Sequence, residues 1–498
     1  MLVSIVALSV PAVLKRAGVE GGASIPAFAI VGAHRPSHGR RDYGRSALDP
    51  SVGRSRPRPG ALRTHITAAL CQTGFHTARV TERQRCWTLQ ALVEFWLAVI
   101  LRAPRALSQA LYETLEGAEP LFPLVDATPE AFFQRCQHLR PAFFAAIFTR
   151  FTAGLLAATP ARYAQDLGEL QTRFAAVVVV DGSRLAAIAP RLKLLWPERA
   201  VGLPGCLLAV YDLGHGRCRA LDFCADAAAG ELAHAQAVLA TLPRDTLVLA
   251  DRLYGNDVWF AALTAQGCWG LVRQNRRLGL RKVRRLARHQ VQGSRCTDWL
   301  GDAGGRRSTP PQRLRYIRWQ RGATVQAVLT NVLEPARLPA TEALALYPRR
   351  WTVERLFFDL KEVLNLNRVY TGHPNAIAMP VSAAGCVSNA LRVAQADVAE
   401  TAELAPEAIS PAKFFPQMAA ACHCFALFEV WFRDTQAANR GWQLRKPPLP
   451  ERRFPQGWLA AILVEPRTTP RRTRRFCAAR TRWQSLAHVR GGRKLGRV

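Results

Sequence analysis

The spacing of apolar residues changes along this chain, and the change separates a helical part from an α/β part. From about residue 80 to 165, apolar residues recur at helical intervals, and Thr128-Pro129-Glu130 has the cap, the first-turn proline and the acid that begin a helix. From about residue 170, apolar runs become short and β-branched, as in 175–180, which predicts strands buried on both faces. Helical spacing returns after residue 376.

The α/β part is predicted to run strand–strand–strand–helix–strand–helix–strand. The predicted strands cover residues 175–180, 206–211, 219–223, 246–250 and 268–272, and the predicted helices cover 231–242 and 256–266. Asp181 follows the first strand and Asp251 follows the fourth. An aspartate after a strand is usually a turn residue, but strand ends are also where α/β folds place their chemistry.

A β-rich insertion is predicted inside the α/β part, at about 275–335. Its clearest signal is the alternation of apolar and polar residues over 313–319 and 323–332, on either side of Arg321-Gly322. Such alternation around a glycine predicts an antiparallel hairpin. Beyond the insertion, helices are predicted at 376–399 and 411–432.

The stretch YPRRWTVERLFFDLK, residues 347–361, has one polar and one apolar side. At about 100° per helical residue, a single arc of roughly 60° contains Tyr347, Arg350, Glu354 and Lys361. The predicted buried face contains Val353, Leu356, Phe357, Leu360 and Leu364. Pro348 fits a first helical turn, so Tyr347 is expected at the cap. Taken alone, Arg350 and Glu354 make an ordinary exposed pair on a helix.

The spacing of these four polar residues resembles the Y-R-E-K signature of insertion-sequence DDE transposases of group four, and Trp351 also fits that family. The sequences DGS at Asp181 and DRLY at Asp251 resemble its forms around the first two acids. The resemblance covers roughly residues 170–400. It implies an RNase H-like mixed sheet flanked by helices, in which the first and fourth strands are neighbours.

The resemblance also implies the roles of individual residues. It implies a catalytic, metal-binding triad of Asp181, Asp251 and Glu354. Such carboxylates hold two Mg²⁺ ions, with Mn²⁺ as a substitute, for in-line phosphoryl transfer. It implies DNA-binding roles for Tyr347, Arg350, Trp351 and Lys361. Trp351 would hold a base flipped from the DNA end; Trp319 is a second candidate for that role, with a core position as its alternative.

The charge of the chain indicates a nucleic-acid partner. The formal net charge is +32, from 68 basic and 36 acidic residues, and duplex DNA carries one phosphate charge per roughly 1.7 Å of its axis. A GC-rich genome would also enrich arginine, but the charge is clustered. Residues 273–288 contain eight basic residues and no acid, and residues 467–498 contain eleven and no acid. Both runs are predicted to contact phosphates.

A chain of 498 residues is long enough for two or three domains. We expect a disordered or non-native arm at 1–78, a helical DNA-binding domain at 79–165, an RNase H-like catalytic domain at 170–400, and a helical and basic C-terminal region at 401–498. The apolar start is too short to span a membrane and contains Pro11. Twelve cysteines in so long a chain form no disulfide framework. We therefore expect no membrane partner and a cytoplasmic, nucleoid-associated protein.

These features predict a DNA transposase that cuts and rejoins the ends of an insertion sequence. Its partners would be double-stranded DNA, as terminal inverted repeats and target, and a second copy of the chain in the synaptic complex. Two alternatives stay open: a catalytically inactive, transposase-derived DNA-binding protein, and an RNase H-like nuclease. Cleavage at defined ends separates the first prediction from both.

Overall fold

The computed structural model describes residues 66–78, 86–117, 119–185, 206–224, 230–291, 294–304, 310–368 and 373–439. The basic run predicted at 467–498 and most of the arm predicted at 1–78 lie outside the described residues. The arm was predicted too long, because a helix covers Ala68–Ala78 and buries Phe75 completely. The helix was not predicted because its few apolar residues are surrounded by polar residues in the sequence.

The described residues before the sheet are helical, as predicted. The helices are α1 Ala68–Ala78, α2 Leu89–Arg102, α3 Leu107–Glu116, α4 Pro129–His138, α5 Pro141–Ala158 and the single turn α6 Leu170–Arg173. The cap of α4 is Thr128, whose side chain accepts a hydrogen bond from the Ala131 amide at 3.4 Å. Pro141 is the first residue of α5, a position where proline is favourable because no helical amide bond is lost there.

A mixed sheet occupies the middle of the chain. Its strands are β1 Ala176–Arg184, β2 Cys206–Asp212, β3 Arg217–Cys224, β4 Thr246–Ala250, β5 Trp269–Arg273, β6 Leu280–Val291, β7 Ser294–Ala303, β8 Gln312–Arg321 and β9 Thr324–Thr330. Helices α7 Glu231–Leu239 and α8 Asp257–Ala265 flank β4 in sequence. The spatial order of the strands is β3-β2-β1-β4-β5-β9-β8-β7-β6.

The predicted pairing of the first and fourth strands is confirmed. β1 lies parallel to β4 and antiparallel to β2, and β4 lies parallel to β5. The insertion strands β6 to β9 continue the same sheet, because β9 pairs antiparallel with β5. The β-rich insertion is therefore an extension of the central sheet.

The chain after the sheet is helical, with a change of pitch that the sequence did not predict. Its segments are α9 Ala340–Leu346, a 3₁₀ helix Tyr347–Trp351, α10 Thr352–Phe358, a π-helical turn Asp359–Val363, α11 Pro374–Thr401 and α12 Pro411–Asn439. Residues 347–361 therefore pass through three helix types, 3₁₀, α and π, where one regular helix was expected. The apolar face predicted there is buried, with every member at most 5% exposed.

The sheet separates two layers of the core, because successive side chains of a strand point to opposite faces. Val177 and Val179 pack with the N-terminal helices and with α10 to α12. Val178 and Val180 pack with α7 and α8 on the other face. The predicted helical domain and one face of the sheet therefore share a single core.

Two of the described helices are long and apolar enough to cross a membrane by length and composition alone. They are residues 141–158 and Asn375–Thr401. The most apolar 18-residue window of the second is completely buried inside the protein, and the first buries seven side chains, including Phe143 and Phe148. Packing in the core accounts for the apolar composition of both helices.

Candidate active site

The two aspartates that the sequence singles out lie side by side at one end of neighbouring strands. The last registered pair between β1 and β4 is Val179 opposite Leu249. Asp181 and Asp251 each lie two residues beyond that pair, although seventy residues of sequence separate them. Parallel strands end at the same edge of a sheet, so the pairing brings both carboxylates to one place.

Asp181 lies within β1, where the sequence predicted the strand to end before it. Pairing with β2 continues through Asp181 opposite Ala209 to Arg184 opposite Cys206. On the other side, the pairing of β1 with β4 ends at Val179. The backbone at Asp181 therefore pairs with β2 on one side and has no pairing with β4 on the other side.

Asp251 follows β4 directly and caps a short 3₁₀ helix, Arg252–Tyr254. Its Oδ1 accepts a hydrogen bond from the Leu253 amide at 2.6 Å. This is the turn role that an aspartate after a strand usually has.

Arg350 connects the helical segment to the first aspartate. Its guanidinium donates to Asp181 Oδ2 at 3.3 Å and to Glu354 Oε1 at 3.4 Å. Arg350 is only 8% exposed, whereas Glu354 is 37% exposed. The predicted pair between Arg350 and Glu354 is therefore part of a three-residue ion network that includes β1.

Lys361 reaches the end of β1 from the π-helical turn. Its Nζ donates to Ser183 Oγ at 2.7 Å and to the Arg184 carbonyl at 2.6 Å. Burial lowers the pKa of Lys361. The turn itself is attached to α11 through Asp359, whose carboxylate accepts a hydrogen bond from Arg392 at 2.5 Å. This buried pair joins the π-helical turn to α11.

Tyr347 and Trp351 have different environments. Tyr347 is 7% exposed, and burial raises the pKa of its hydroxyl while Arg350 opposes that change. Trp351 is 52% exposed, and its ring stacks under the Arg350 guanidinium at 4.5 Å. The second aromatic candidate, Trp319, is half-buried in β8 opposite Gln326.

The pKa of Asp181 reflects its burial and its charged neighbours. Burial raises the pKa of Asp181 to about 7; Arg350 opposes this change, while Glu231 and Asp251 add to it. A cation that lies between these carboxyl groups stabilises their charged forms. Arg350 supplies one such positive charge.

The grouping of Asp181, Asp251 and Glu354 as metal ligands is not found in this arrangement. Among the described residues, no three His, Cys, Asp or Glu side chains lie close enough together to hold a metal ion. The guanidinium of Arg350 contacts both Asp181 and Glu354 instead. The donor set still fits Mg²⁺, which prefers carboxylate oxygens and retains several of its water ligands.

Glu231 was not identified from the sequence. It is the first residue of α7, and its Oε1 accepts a hydrogen bond from the Tyr254 hydroxyl at 2.7 Å. The contact of Ser183, whose hydroxyl accepts a hydrogen bond from the Lys361 amine, was also not predicted. No spacing rule connects Glu231 to the two aspartates, because their proximity arises from the strand order.

The basic run at 273–288 is mostly strand β6, which lies at the edge of the sheet. Its exposed basic residues are Arg281, Lys282, Arg284, Arg285 and Arg288. Lys282 lies over the rings of Trp299 and Tyr316, at 5.3 and 5.0 Å from their centroids. The insertion thus presents ordered positive charge at one edge of the molecule.

The geometry can be compared with known proteins. Residues 198–384 match the family described as Transposase DDE domain. The matched segment contains Asp251, Glu354 and Lys361, and it begins after Asp181. It supports a DDE transposase.

Other comparisons add little to this match. No curated protein matches the chain. A cryo-EM structure of a piggyBac transposase synaptic complex with hairpin DNA aligns over 79% of this chain and 83% of its own, with 10% identity and a TM-score of 0.31. An alignment with so low a score establishes neither a shared fold nor a shared function.

Proposed function

We propose that this protein is a DNA transposase of the DDE type that cuts and rejoins the ends of an insertion sequence. The observation that carries the proposal is the position of Asp181 and Asp251 at one end of neighbouring parallel strands, with Arg350 and Glu354 packed across them. The family match of residues 198–384 supports the same class. The Y-R-E-K spacing extends the proposal to the group-four type.

The proposed fold of the catalytic domain is RNase H-like. Three antiparallel strands, followed by two strands parallel to the first, support it. We further propose the limits 170–400 for this domain, 79–165 for a DNA-binding helical domain, and a cytoplasmic, nucleoid-associated location. The net charge of +32 supports DNA as the partner.

The residues of the proposed site have different roles in DNA binding and in the reaction. Arg350 and Lys361 provide cations for phosphates near the scissile bond, and Tyr347 adds a hydroxyl. Trp351 has half of its surface exposed and can stack on a base turned out of the duplex. Asp181, Asp251 and Glu354 would hold Mg²⁺ or Mn²⁺. When bound, such ions activate the attacking oxygen and stabilise the leaving oxygen.

The test is cleavage of a labelled duplex that carries the inverted repeat flanking the gene. We expect wild type with Mg²⁺ to nick the edge of the repeat. Asp181→Asn should lose at least about a hundredfold in rate and keep its DNA affinity, because it removes one charge from the reacting centre. The matched control is Asp397→Asn, since Asp397 pairs with Arg162 at 2.6 Å, away from the site. Equal cleavage by both variants would contradict the proposal.

The contact of Arg350 with both Asp181 and Glu354 favours one second candidate, an inactive DNA-binding protein derived from a transposase. In that case the ion network replaces a metal site permanently. Salt-sensitive DNA binding without a nick from wild type, with Mg²⁺ or Mn²⁺, would establish this candidate.

A further inference from the structure

Two cysteines lie opposite each other across strands β2 and β3. Cys206 is the first residue of β2 and Cys224 is the last residue of β3, and the antiparallel register makes them direct partners. Direct partners in an antiparallel pair have Cα atoms about 4.5–5.5 Å apart, and a disulfide needs a Cα separation of about 4.4–6.8 Å. The backbone of this hairpin therefore holds the two residues at the separation of a disulfide.

Both side chains lie on the same face of the sheet. Cys206 lies two residues before Leu208 in β2, so it shares the face on which Leu208 packs with α7. Cys224 shares the face of Asp222, whose carboxylate lies 3.2 Å from Nδ1 of His234 in α7. Burial raises the pKa of the Cys206 thiol, and Cys224 raises it further through its charge and a hydrogen bond between the two side chains. The two thiols are therefore neighbours on the α7 side of the sheet.

This pair is also accessible to small reagents. Cys206 and Cys224 are both partly exposed, whereas six other cysteines of the described chain are buried. Among the described residues, no other two cysteines are strand partners. Cys422 and Cys424 are two residues apart in α12, so their side chains point about 200° away from each other. Proximity and exposure therefore coincide at the β2–β3 pair.

We propose that Cys206 and Cys224 form a reversible disulfide on oxidation, which makes this end of the β2–β3 hairpin a redox-sensitive modification site. The oxidant is a low-molecular-weight disulfide such as oxidised glutathione. The thiolate of one cysteine attacks it and releases one reduced thiol, and the other cysteine then attacks the mixed disulfide and releases a second. The S–S bond of the reagent is replaced by one in the protein, and the two thiol protons end on the released thiols. In a reducing compartment such a disulfide is transient.

The disulfide acts on the proposed active site through β1. Cys206 is also the β2 partner of Arg184, and the Arg184 carbonyl accepts the hydrogen bond from Lys361 Nζ at 2.6 Å. A covalent bond at Cys206 restrains the strand against which this end of β1 is paired, and small displacements of reacting groups slow catalysis strongly. Oxidation is therefore expected to slow DNA cleavage. This consequence rests on the function proposed above, whereas the disulfide itself does not.

The test of the disulfide is mass spectrometry of the full-length protein after treatment with oxidised glutathione, alkylation of the remaining thiols and digestion without reductant. Wild type should yield peptides linked through Cys206 and Cys224. The control variant Cys86→Ser should yield the same linked peptides, because Cys86 is exposed and lies outside the sheet. Absence of the linked peptides in wild type, under conditions in which glutathione has reacted with Cys86, would overturn the proposal.

The same measurement in concentrated guanidinium chloride shows whether the fold creates the pair, and it needs no variant. At a fixed ratio of oxidised to reduced glutathione, the ratio of linked to reduced protein should be at least about tenfold higher in the folded protein, because strand pairing keeps the thiols adjacent. Equal ratios in the folded and unfolded protein would overturn the proposal, since strand pairing would then contribute nothing to the bond.

DNA cleavage separates the effect of the disulfide from the proposed function. Oxidised wild type should cleave the repeat at least about tenfold more slowly than reduced wild type, dithiothreitol should restore the rate, and Cys224→Ser should not respond to the oxidant. If the disulfide forms and the rate is unchanged, its effect on the site is wrong and the proposed function stands. If reduced wild type does not cleave, the proposed function is wrong, and the linked peptides still establish the disulfide.

Discussion

Arg350 and Trp351 are adjacent in sequence and have opposite environments. Arg350 is 8% exposed and contacts two carboxylates, whereas Trp351 is 52% exposed and contacts the guanidinium through its ring. Arg350 balances charge inside the site, and the indole of Trp351 contributes little to the core. A large exposed apolar side chain lowers the solubility of a protein, and a role in binding would explain why one occurs here.

Substitution of Trp351 should therefore affect function much more than stability. Trp351→Ala should cost about 1 kcal/mol or less, the range of an exposed cation–π contact, and should slow cleavage of the DNA end. The matched comparison is Trp259→Ala, because Trp259 is completely buried in α8. That variant should lose about 3–5 kcal/mol of the free energy of unfolding. Thermal unfolding and cleavage rates measure both, and a large loss of stability in Trp351→Ala would contradict this assignment.

At the scale of elements, β6 has the features of a protected edge strand. Register shifts occur between Lys282 and Arg284 and between Arg285 and Ala287. Bulges and charged residues at an edge prevent pairing with other chains. They also direct consecutive basic side chains outward, so the same strand suits contact with phosphates.

Removal of charge from β6 should change the salt dependence of DNA binding. Arg284→Ala together with Arg288→Ala should lower affinity on duplexes of any sequence. It should also reduce the slope of log affinity against log salt by about one for each phosphate that is no longer neutralised. Fluorescence anisotropy at several salt concentrations measures the slope. The control is Arg284→Lys with Arg288→Lys, which keeps the charge, and equal slopes in the two double variants would contradict a role in phosphate binding.

At the scale of the molecule, the N-terminal helices and the sheet are one packed body. Residues of α1 to α5 and of β1 share one cluster of buried side chains with α10 to α12. Gly385 of α11 packs directly on Phe148 of α5, because a methyl group at Gly385 would lie 2.7 Å from Phe148 Cε2. The predicted boundary near residue 165 therefore does not separate two cores, although the domain limits stay a prediction.

Gly385→Ala should destabilise the whole described body at once. Overpacking of a tight core costs about 1–3 kcal/mol, and a shared core should give one cooperative transition. The matched control is Gly154→Ala, because nothing lies within 4 Å of a methyl group there. That variant should be more stable by roughly 0.5–1 kcal/mol, since alanine is the better helix former. Calorimetry measures both, and separate transitions in Gly385→Ala would contradict a shared core.

Much of the α/β region was predictable from the sequence, but contacts between distant elements were not. The strand predicted at 246–250 and the helix predicted at 231–242 are close to β4 and α7, because their patterns are local. The predicted end of β1 was wrong, because the extension of this strand to Arg184 depends on pairing with β2. The three pitches over residues 347–363 were missed because they follow from packing, which includes the buried Asp359–Arg392 pair.

The sequence alone determined most of the elements and which residues carry charge at their ends. Periodicity and capping residues are local properties, and the resemblance carried by the Y-R-E-K spacing, DGS and DRLY implied Asp181, Asp251 and Glu354 without coordinates. Tertiary structure alone decided that Arg350 lies between Asp181 and Glu354, that Lys361 reaches Ser183, and that Tyr254 donates a hydrogen bond to Glu231. These contacts depend on strand order and helix packing, which bring together residues whose separation in sequence carries no signal.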